Sequence, residues 1–182
     1  MRILSGSAKG RRLGGPAIRD ARPTTELVRG AIFNILGPLD ACPMRVLDLF
    51  AGSGSLGIEA ISRGVGEADF VERSERQCAR IKENLSITGF QERSSVYCMD
   101  AMVALESLKG PYQLVLMDPP YKLEGLGKVI DALATSGLVE EGARVVVGHS
   151  RRVQLNDVYG ELVKNINRRY GDSVVDFFQR EH

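Results

Sequence analysis

Between Arg45 and Gly148 the chain alternates short apolar runs with helical stripes, and this alternation leaves few folds open. Arg45–Phe50, Ala68–Glu72, Ser95–Met99, Tyr112–Met117 and Ala143–Gly148 each have strand length and an apolar content that suits burial on both faces. Helical patterns lie between them. One runs from about Leu56 to Arg63. A second is opened by Ser74 and Gln77 as a capping box, with Cys78, Ile81 and Leu85 on its core face. A short helix leads up to Leu108, and Leu126, Val129, Ile130 and Leu133 form a further stripe. Strands separated by helices pair in parallel, so a doubly wound α/β sheet is expected.

Both ends depart from this rhythm. Glu161–Arg169 and Ser173–Gln179 are strand-like and joined by Tyr170-Gly171-Asp172, which predicts an antiparallel C-terminal hairpin and seven strands in all. Near the start, Pro23-Thr24-Thr25-Glu26 reads as a helix opening, followed by the stripe Val28, Ala31, Ile32, Ile35 and Leu36. Upstream, Arg2-Ile-Leu-Ser and Arg11-Arg12-Leu13 flank a glycine-containing turn. The expected organisation is an N-terminal β-hairpin arm over 1–22 and a single domain over 23–182.

The arm is basic. Residues 1–30 carry Arg2, Lys9, Arg11, Arg12, Arg19, Arg22 and Arg29 against Asp20 and Glu26, a net +5 in a chain of net +1. A basic arm on a mildly acidic body points to a polyanionic partner. No apolar run reaches the length of a membrane span, and the start lacks a signal-peptide core. Cys42, Cys78 and Cys98 are odd in number and lack CxxC spacing, so neither structural disulfides nor zinc is expected. A reduced, cytoplasmic, metal-free protein is the expectation.

Asp118-Pro119-Pro120-Tyr121 closes the fourth strand and carries the most chemistry. Neither proline has an N–H, and each holds the preceding residue extended, so the Pro119 carbonyl is kept from helical bonding. A carboxylate and a carbonyl beside an aromatic face suit a planar amino group, which offers two donors and a π surface.

Gly52-Ser-Gly54-Ser-Leu-Gly57 stands between a strand and a helix, and Glu72 follows Gly52 by twenty residues at the next strand end. Both features fit a dinucleotide, so a nicotinamide enzyme is an open alternative. Asp48 shifts the balance. A carboxylate just before the glycine turn repels a pyrophosphate and favours a cation. S-adenosylmethionine has a sulfonium, an amino acid head and no phosphate. Asp100, at the end of the third strand, is an acceptor for an adenine amino group and equally a helix N-cap.

With these motifs in this order, the chain resembles the class I S-adenosylmethionine-dependent methyltransferases, in their amino-methylating branch. Ile3–Leu13, Arg22-Pro-Thr24, Val28–Asn34 and Tyr170-Gly-Asp172 narrow the resemblance to the bacterial 16S rRNA guanine-N2 methyltransferase family (the RsmD type) over essentially the whole chain. Gly148-His149 departs from it, since many relatives carry a glutamate after the fifth strand. The resemblance implies a Rossmann-like fold and S-adenosyl-L-methionine held by Asp48, Ala51, Gly52, Gly54, Leu56, Glu72, Asp100, Ala101 and Asp118. It further implies methyl transfer at Asp118, Pro119 and Tyr121 to N2 of a guanine in 16S rRNA, free or in the assembling small subunit, by a monomer. Lys9, Arg11, Arg12, Arg22, Arg151 and Arg152 are the candidate RNA contacts. Arg22 and Thr24 are placed at the pocket entrance. His149 is expected to be a strand-end polar residue and not a catalyst, with Met99, Met102 and Met117 filling core. A DNA adenine or other amino-methyltransferase remains an alternative at this point, as does a noncatalytic RNA-binding module.

Overall fold

The structure, a computed structural model, describes residues 1–19 and 24–182. The sheet is built from β1 (Arg45–Leu49), β2 (Glu67–Glu72), β3 (Ser94–Cys98), β4 (Tyr112–Met117), β5 (Val139–Ser150), β6 (Val158–Tyr159), β7 (Leu162–Tyr170) and β8 (Ser173–Arg180). Their spatial order is β3-β2-β1-β4-β5-β8-β7-β6. β1 to β5 are mutually parallel, and β8 pairs antiparallel with both β5 and β7. The doubly wound sheet with an antiparallel C-terminal hairpin is therefore present. Among the described residues it has eight strands where the sequence indicates seven. The additional one, β6, is a two-residue edge strand too short to show a periodicity.

The helices are α1 (Glu26–Leu36), α2 (Ser55–Ser62), α3 (Glu75–Thr88), α4 (Ala101–Ser107) and α5 (Leu126–Thr135). Hydroxyl caps start α1 and α3: Thr25 Oγ1 accepts the Val28 N–H at 3.2 Å, and Ser74 Oγ accepts the Gln77 N–H at 3.4 Å. Two apolar cores cover the two sheet faces. One gathers Val46, Leu114, Leu116, Val146, Val175 and Phe177 under Ile32, Phe33, Ile61 and Ile81. The other packs Leu47, Leu49, Val115, Met117 and Val147 against Ala104, Ile130 and Leu133. Met117 is buried and Met99 half-buried in that second core, as core filling requires. Met102 is not: it is exposed, because its place in the first turn of α4 faces away from the sheet.

The N-terminal arm is a hairpin in its hydrogen bonding. The Ile3 N–H donates to Arg11 O at 3.0 Å, Gly10 N–H to Ile3 O at 2.9 Å and Leu13 N–H to Met1 O at 2.7 Å, around one bridge between Arg2 and Arg12. Its apolar residues Ile3, Ala8 and Leu13 are buried in the first core, which anchors it to the body. A charged grip secures it further. Fully buried Glu59 accepts the Leu4 N–H at 3.0 Å, and Arg29, also fully buried, lies 4.0 Å from Glu59 while donating to the Arg2 carbonyl. Burial pushes the Arg29 guanidinium below its ordinary value, and the charge of Glu59 opposes that shift.

The hairpin tip sits against the end of α2. The Ser7 N–H donates to Ser62 O at 2.8 Å, Ala8 N–H to Ser62 Oγ at 2.9 Å, and Arg11 Nη1 to Ile87 O near the end of α3. Both helices begin at the carboxyl ends of their preceding strands, so these contacts put the tip at the opposite, amino edge of the sheet. Gly14 then bonds Asn84, and the Ala17 N–H reaches Gln77 Oε1 at 2.7 Å. The segment after the hairpin thus climbs α3 towards the carboxyl edge. The expected boundary at residue 22 and the Arg22 side chain lie outside the described residues.

Candidate active site

A pocket opens at the carboxyl edge of β1 and β4. It is lined by Pro16, Thr24, Asp48, Phe50, Ala51, Gly52, Ser53, Ser55, Leu56, Gln77 and Asp118. Five of the expected site residues, Asp48, Ala51, Gly52, Leu56 and Asp118, therefore share one cavity. Open α/β sheets place ligands at this edge because helix N-termini and loop amides converge there.

The floor is built by Asp48 in β1. Its Oδ2 accepts the Gly57 N–H at 2.9 Å, from the first turn of α2, and the carboxyl is 1% exposed. Gly57 permits that contact: a Cβ on it would stand 2.4 Å from the Phe70 ring and 3.1 Å from Asp48 Oδ2. Burial holds the Asp48 carboxyl well above the usual aspartate range. The Gly57 bond pulls the other way, while Asp118 and Glu72 add to the elevation.

The glycine loop is braced from the next strand. Glu72 accepts the Gly52 N–H at 3.3 Å on one oxygen and the Ser74 N–H at 2.7 Å on the other. Asn84 Nδ2 donates to Ser53 O at 2.9 Å and to Gly14 O at 3.0 Å, tying the loop to the climbing N-terminal segment. Phe50 has φ +69°, a strained conformation for a bulky residue that sequence reasoning did not anticipate. Gly54 is the left-handed N-cap of α2, at φ +84°.

Asp100 caps α4 by accepting the Met102 N–H at 2.8 Å, and Ala101 opens that helix. They stand at the same edge, two strands from β1, outside the residues that line the pocket. Thr24 was legible as an entrance residue and lines the cavity, where its Oγ1 donates to Asp118 Oδ2. Pro119 is buried and Pro120 exposed, and the Leu123 N–H closes a turn on Pro120 O at 2.9 Å. Tyr121 Oη lies 2.5 Å from Ser173 Oγ at the start of β8. Ser173 was not singled out from the sequence, because nothing local connects it with a residue 52 positions earlier.

Arg151 and Arg152 are exposed just past β5, on the same edge as the pocket, with Arg151 Nε 3.1 Å from Asp172 Oδ1. Lys9, Arg11 and Arg12 are exposed at the other edge. His149 is buried: Nε2 is 2.8 Å from Asp176 Oδ2, and Nδ1 is 2.9 Å from Ser150 O. It cross-links β5 to β8 on the face away from Asp118. Asp176 also lies 3.4 Å from Lys164 Nζ and accepts from Asn167 at 2.5 Å. Burial raises its carboxyl, the partners lower it, and the net shift is downward. Among the described residues no group of carboxylates, histidines and cysteines has metal-site geometry.

The model of a family described as conserved hypothetical protein 95 matches residues 1–179. The YlbH protein of Bacillus subtilis is 38% identical over 184 residues, 99% of each chain. Ribosomal RNA small subunit methyltransferase D of Escherichia coli K12 is 34% identical over 147 residues, 81% of this chain and 73% of that one. The solved structure of the yhhF protein from Escherichia coli superposes with a TM-score of 0.87 at 31% identity, covering 100% of this chain and 98% of that chain.

Proposed function

This chain belongs to the conserved hypothetical protein 95 family, the RsmD type, and from that premise we propose that it methylates the N2 amino group of a guanine in 16S ribosomal RNA with S-adenosylmethionine. Its fold is the Rossmann-like one of class I methyltransferases. The observation that carries the reading is that Asp118 opens into the same cavity as the glycine loop and Asp48. A methyl acceptor held at Asp118-Pro119 then faces a cofactor held at Asp48-Gly52.

The cavity suits that cofactor better than a dinucleotide. Among the described residues its lining includes no lysine or arginine to meet a pyrophosphate, and it includes a buried aspartate that favours a cation. Asp48, Ala51, Gly52, Gly54 and Leu56 would cradle the methionine part, Glu72 the ribose hydroxyls, and Asp100 with Ala101 the adenine. Bound there, S-adenosylmethionine supplies an electrophilic methyl group.

The chain's own residues align the acceptor. A guanine amine is a poor nucleophile, because its lone pair is delocalised into the ring. Asp118 and the Pro119 carbonyl accept its two N–H groups and favour rehybridisation as the new N–C bond forms and the S–C bond breaks. The nitrogen then sheds a proton towards Asp118 or water. A carboxylate has several acceptor positions, so the Thr24 hydroxyl and the amine can share Asp118. Tyr121 stacks on the extruded base. Most of the rate enhancement comes from alignment in a dry pocket.

The partner is 16S rRNA, free or in the assembling small subunit, met by a monomer. Arg151 and Arg152, on the pocket's edge of the sheet, would hold phosphates close to the target, Lys9, Arg11 and Arg12 would reach RNA further away, and Arg22 is a further candidate contact. The test is incubation with labelled cofactor and a panel of undermethylated RNAs and subunits, with Asp118→Ala as the control. Label on guanine N2 of 16S rRNA, lost in the variant, is the expected result. Label on adenine or on DNA, or binding of NAD without response to S-adenosylhomocysteine, would refute the reading.

A further inference from the structure

We infer that Ser173 is a positioning residue for the acceptor site, holding the Tyr121 ring in its stacking orientation; this rests on the methyl-transfer reading above. Stacking needs only the face of a ring, so the Tyr121 hydroxyl has no part in it. The hydroxyl nevertheless lies 2.5 Å from Ser173 Oγ. It sits at the far end of the ring from the backbone, so an anchor there fixes the first side-chain torsion, and because a phenol bonds best in the plane of its ring, the same contact biases the ring's rotation. The loop that carries Tyr121 makes such an anchor useful. It follows two prolines that donate no backbone hydrogen bond and is tied by the turn from Leu123 to Pro120.

Ser173 is well suited to provide it. It is 8% exposed, opens β8, and is in register with Ser150 of β5 and Tyr170 of β7. The turn before it is fastened too: the Arg151 N–H donates to Asp172 O at 2.9 Å, and Arg151 Nε pairs with the Asp172 carboxylate. The backbone that carries the serine hydroxyl is thus fixed by strands on both sides. The motif Tyr170-Gly171-Asp172 gains a role here, since it turns the chain so that residue 173 faces the acceptor loop.

Methyl transfer and base stacking would be measured separately in Ser173→Ala, Ser173→Thr, Tyr121→Phe and the double variant Ser173→Ala/Tyr121→Phe. Ser173→Ala should lower kcat about five- to tenfold, the value of one ordinary hydrogen bond, with unchanged affinity for S-adenosylhomocysteine. Tyr121→Phe should lose a similar factor, and the double variant no more than either alone. Ser173→Thr keeps the hydroxyl and should retain most of the activity. An RNA carrying 2-aminopurine at the target, whose fluorescence is quenched by stacking, reads the same geometry without chemistry, and Ser173→Ala should weaken the quenching. Wild-type kcat and quenching in Ser173→Ala, or losses that multiply in the double variant, would overturn the inference. Quenching that depends on Ser173 without methyl transfer by the wild type would sustain ring positioning and refute the methyl-transfer reading instead.

Discussion

Gly148 and Asp118 are lateral neighbours at the ends of β5 and β4, and a Cβ on Gly148 would stand 2.7 Å from Asp118 Oδ1. The missing side chain is what lets Asp118 lie where it does. Gly148→Ala should therefore displace the carboxylate while leaving the strands intact, since the atom it meets is the end of a side chain. The expected outcome is a fall in kcat of about tenfold or more, short of the complete loss expected for Asp118→Ala. Cofactor affinity should change little. Single-turnover methyl transfer with calorimetry on S-adenosylhomocysteine separates the two, and a wild-type rate would show that Asp118 does not need this space.

Asp48 predicts a pH dependence. Its carboxyl titrates well above the ordinary aspartate value of 3.8, chiefly through burial. A cationic cofactor beside it favours the ionised form, so binding releases a proton over the interval between the ordinary value and the raised one. S-adenosylmethionine affinity should accordingly rise with pH across that interval. S-adenosylhomocysteine, which lacks the sulfonium charge, should show a weaker rise. The same shift lowers stability as pH rises, because the folded state binds this proton more tightly than the unfolded one. Asp48→Asn should flatten both dependences, as followed by calorimetry and by denaturant titration. A steep rise of affinity with pH in Asp48→Asn would assign the effect elsewhere.

The two edges of the sheet make a prediction about RNA length. Arg151 and Arg152 follow β5 on the pocket's edge of the sheet, whereas Arg11 reaches Ile87 at the far edge. With a short hairpin substrate, Arg151→Ala/Arg152→Ala should raise KM several-fold, and Arg11→Ala/Arg12→Ala should do almost nothing. With full-length 16S rRNA both pairs should raise KM and reduce the salt dependence, by roughly one in log–log slope for each phosphate no longer neutralised. KM measured on both RNAs across a salt series decides. Indifference of the long RNA to Arg11 and Arg12 would leave the arm a structural element only.

Glu59 predicts a stability effect remote from chemistry. It holds Arg29, Arg63 and the Leu4 N–H together in the interior. Glu59→Ala leaves a buried guanidinium and a backbone donor without that acceptor, which should cost about 3–5 kcal/mol. Urea unfolding should report the loss, and limited proteolysis should cut the arm first. Equal stability with an intact arm would mean that Ile3, Ala8 and Leu13 suffice to hold it.

Much of this was legible in the sequence where local pattern decides. Tyr112–Met117 could be read to the residue, because a short apolar run ended by two prolines has few alternatives. Thr25, Ser74 and Asp100 announced their helices by side-chain chemistry alone. What resisted reading depends on partners far along the chain. In the sequence Arg29 is one more basic residue among the first thirty, and its burial follows from a partner, Glu59, thirty positions on. His149 reads as a strand-end polar residue, and its partner Asp176, 27 positions on, is visible only once β5 and β8 are paired. Ser173 and Gly148 gain their meaning only once the register sets them beside Tyr121 and Asp118.

The last strand is an interior one. β8 separates β5 from β7, so chain order and spatial order disagree over this half of the sheet. Without Ser173–Arg180, β5 presents an open ladder along its apolar stretch Val145–Val147, and β7 has only the two residues of β6 to pair with. An open edge of that kind invites pairing with other chains. A chain cut after Tyr170 would thus lose far more than a hairpin arm: it would carry two unpaired strand edges where the full chain has an interior strand.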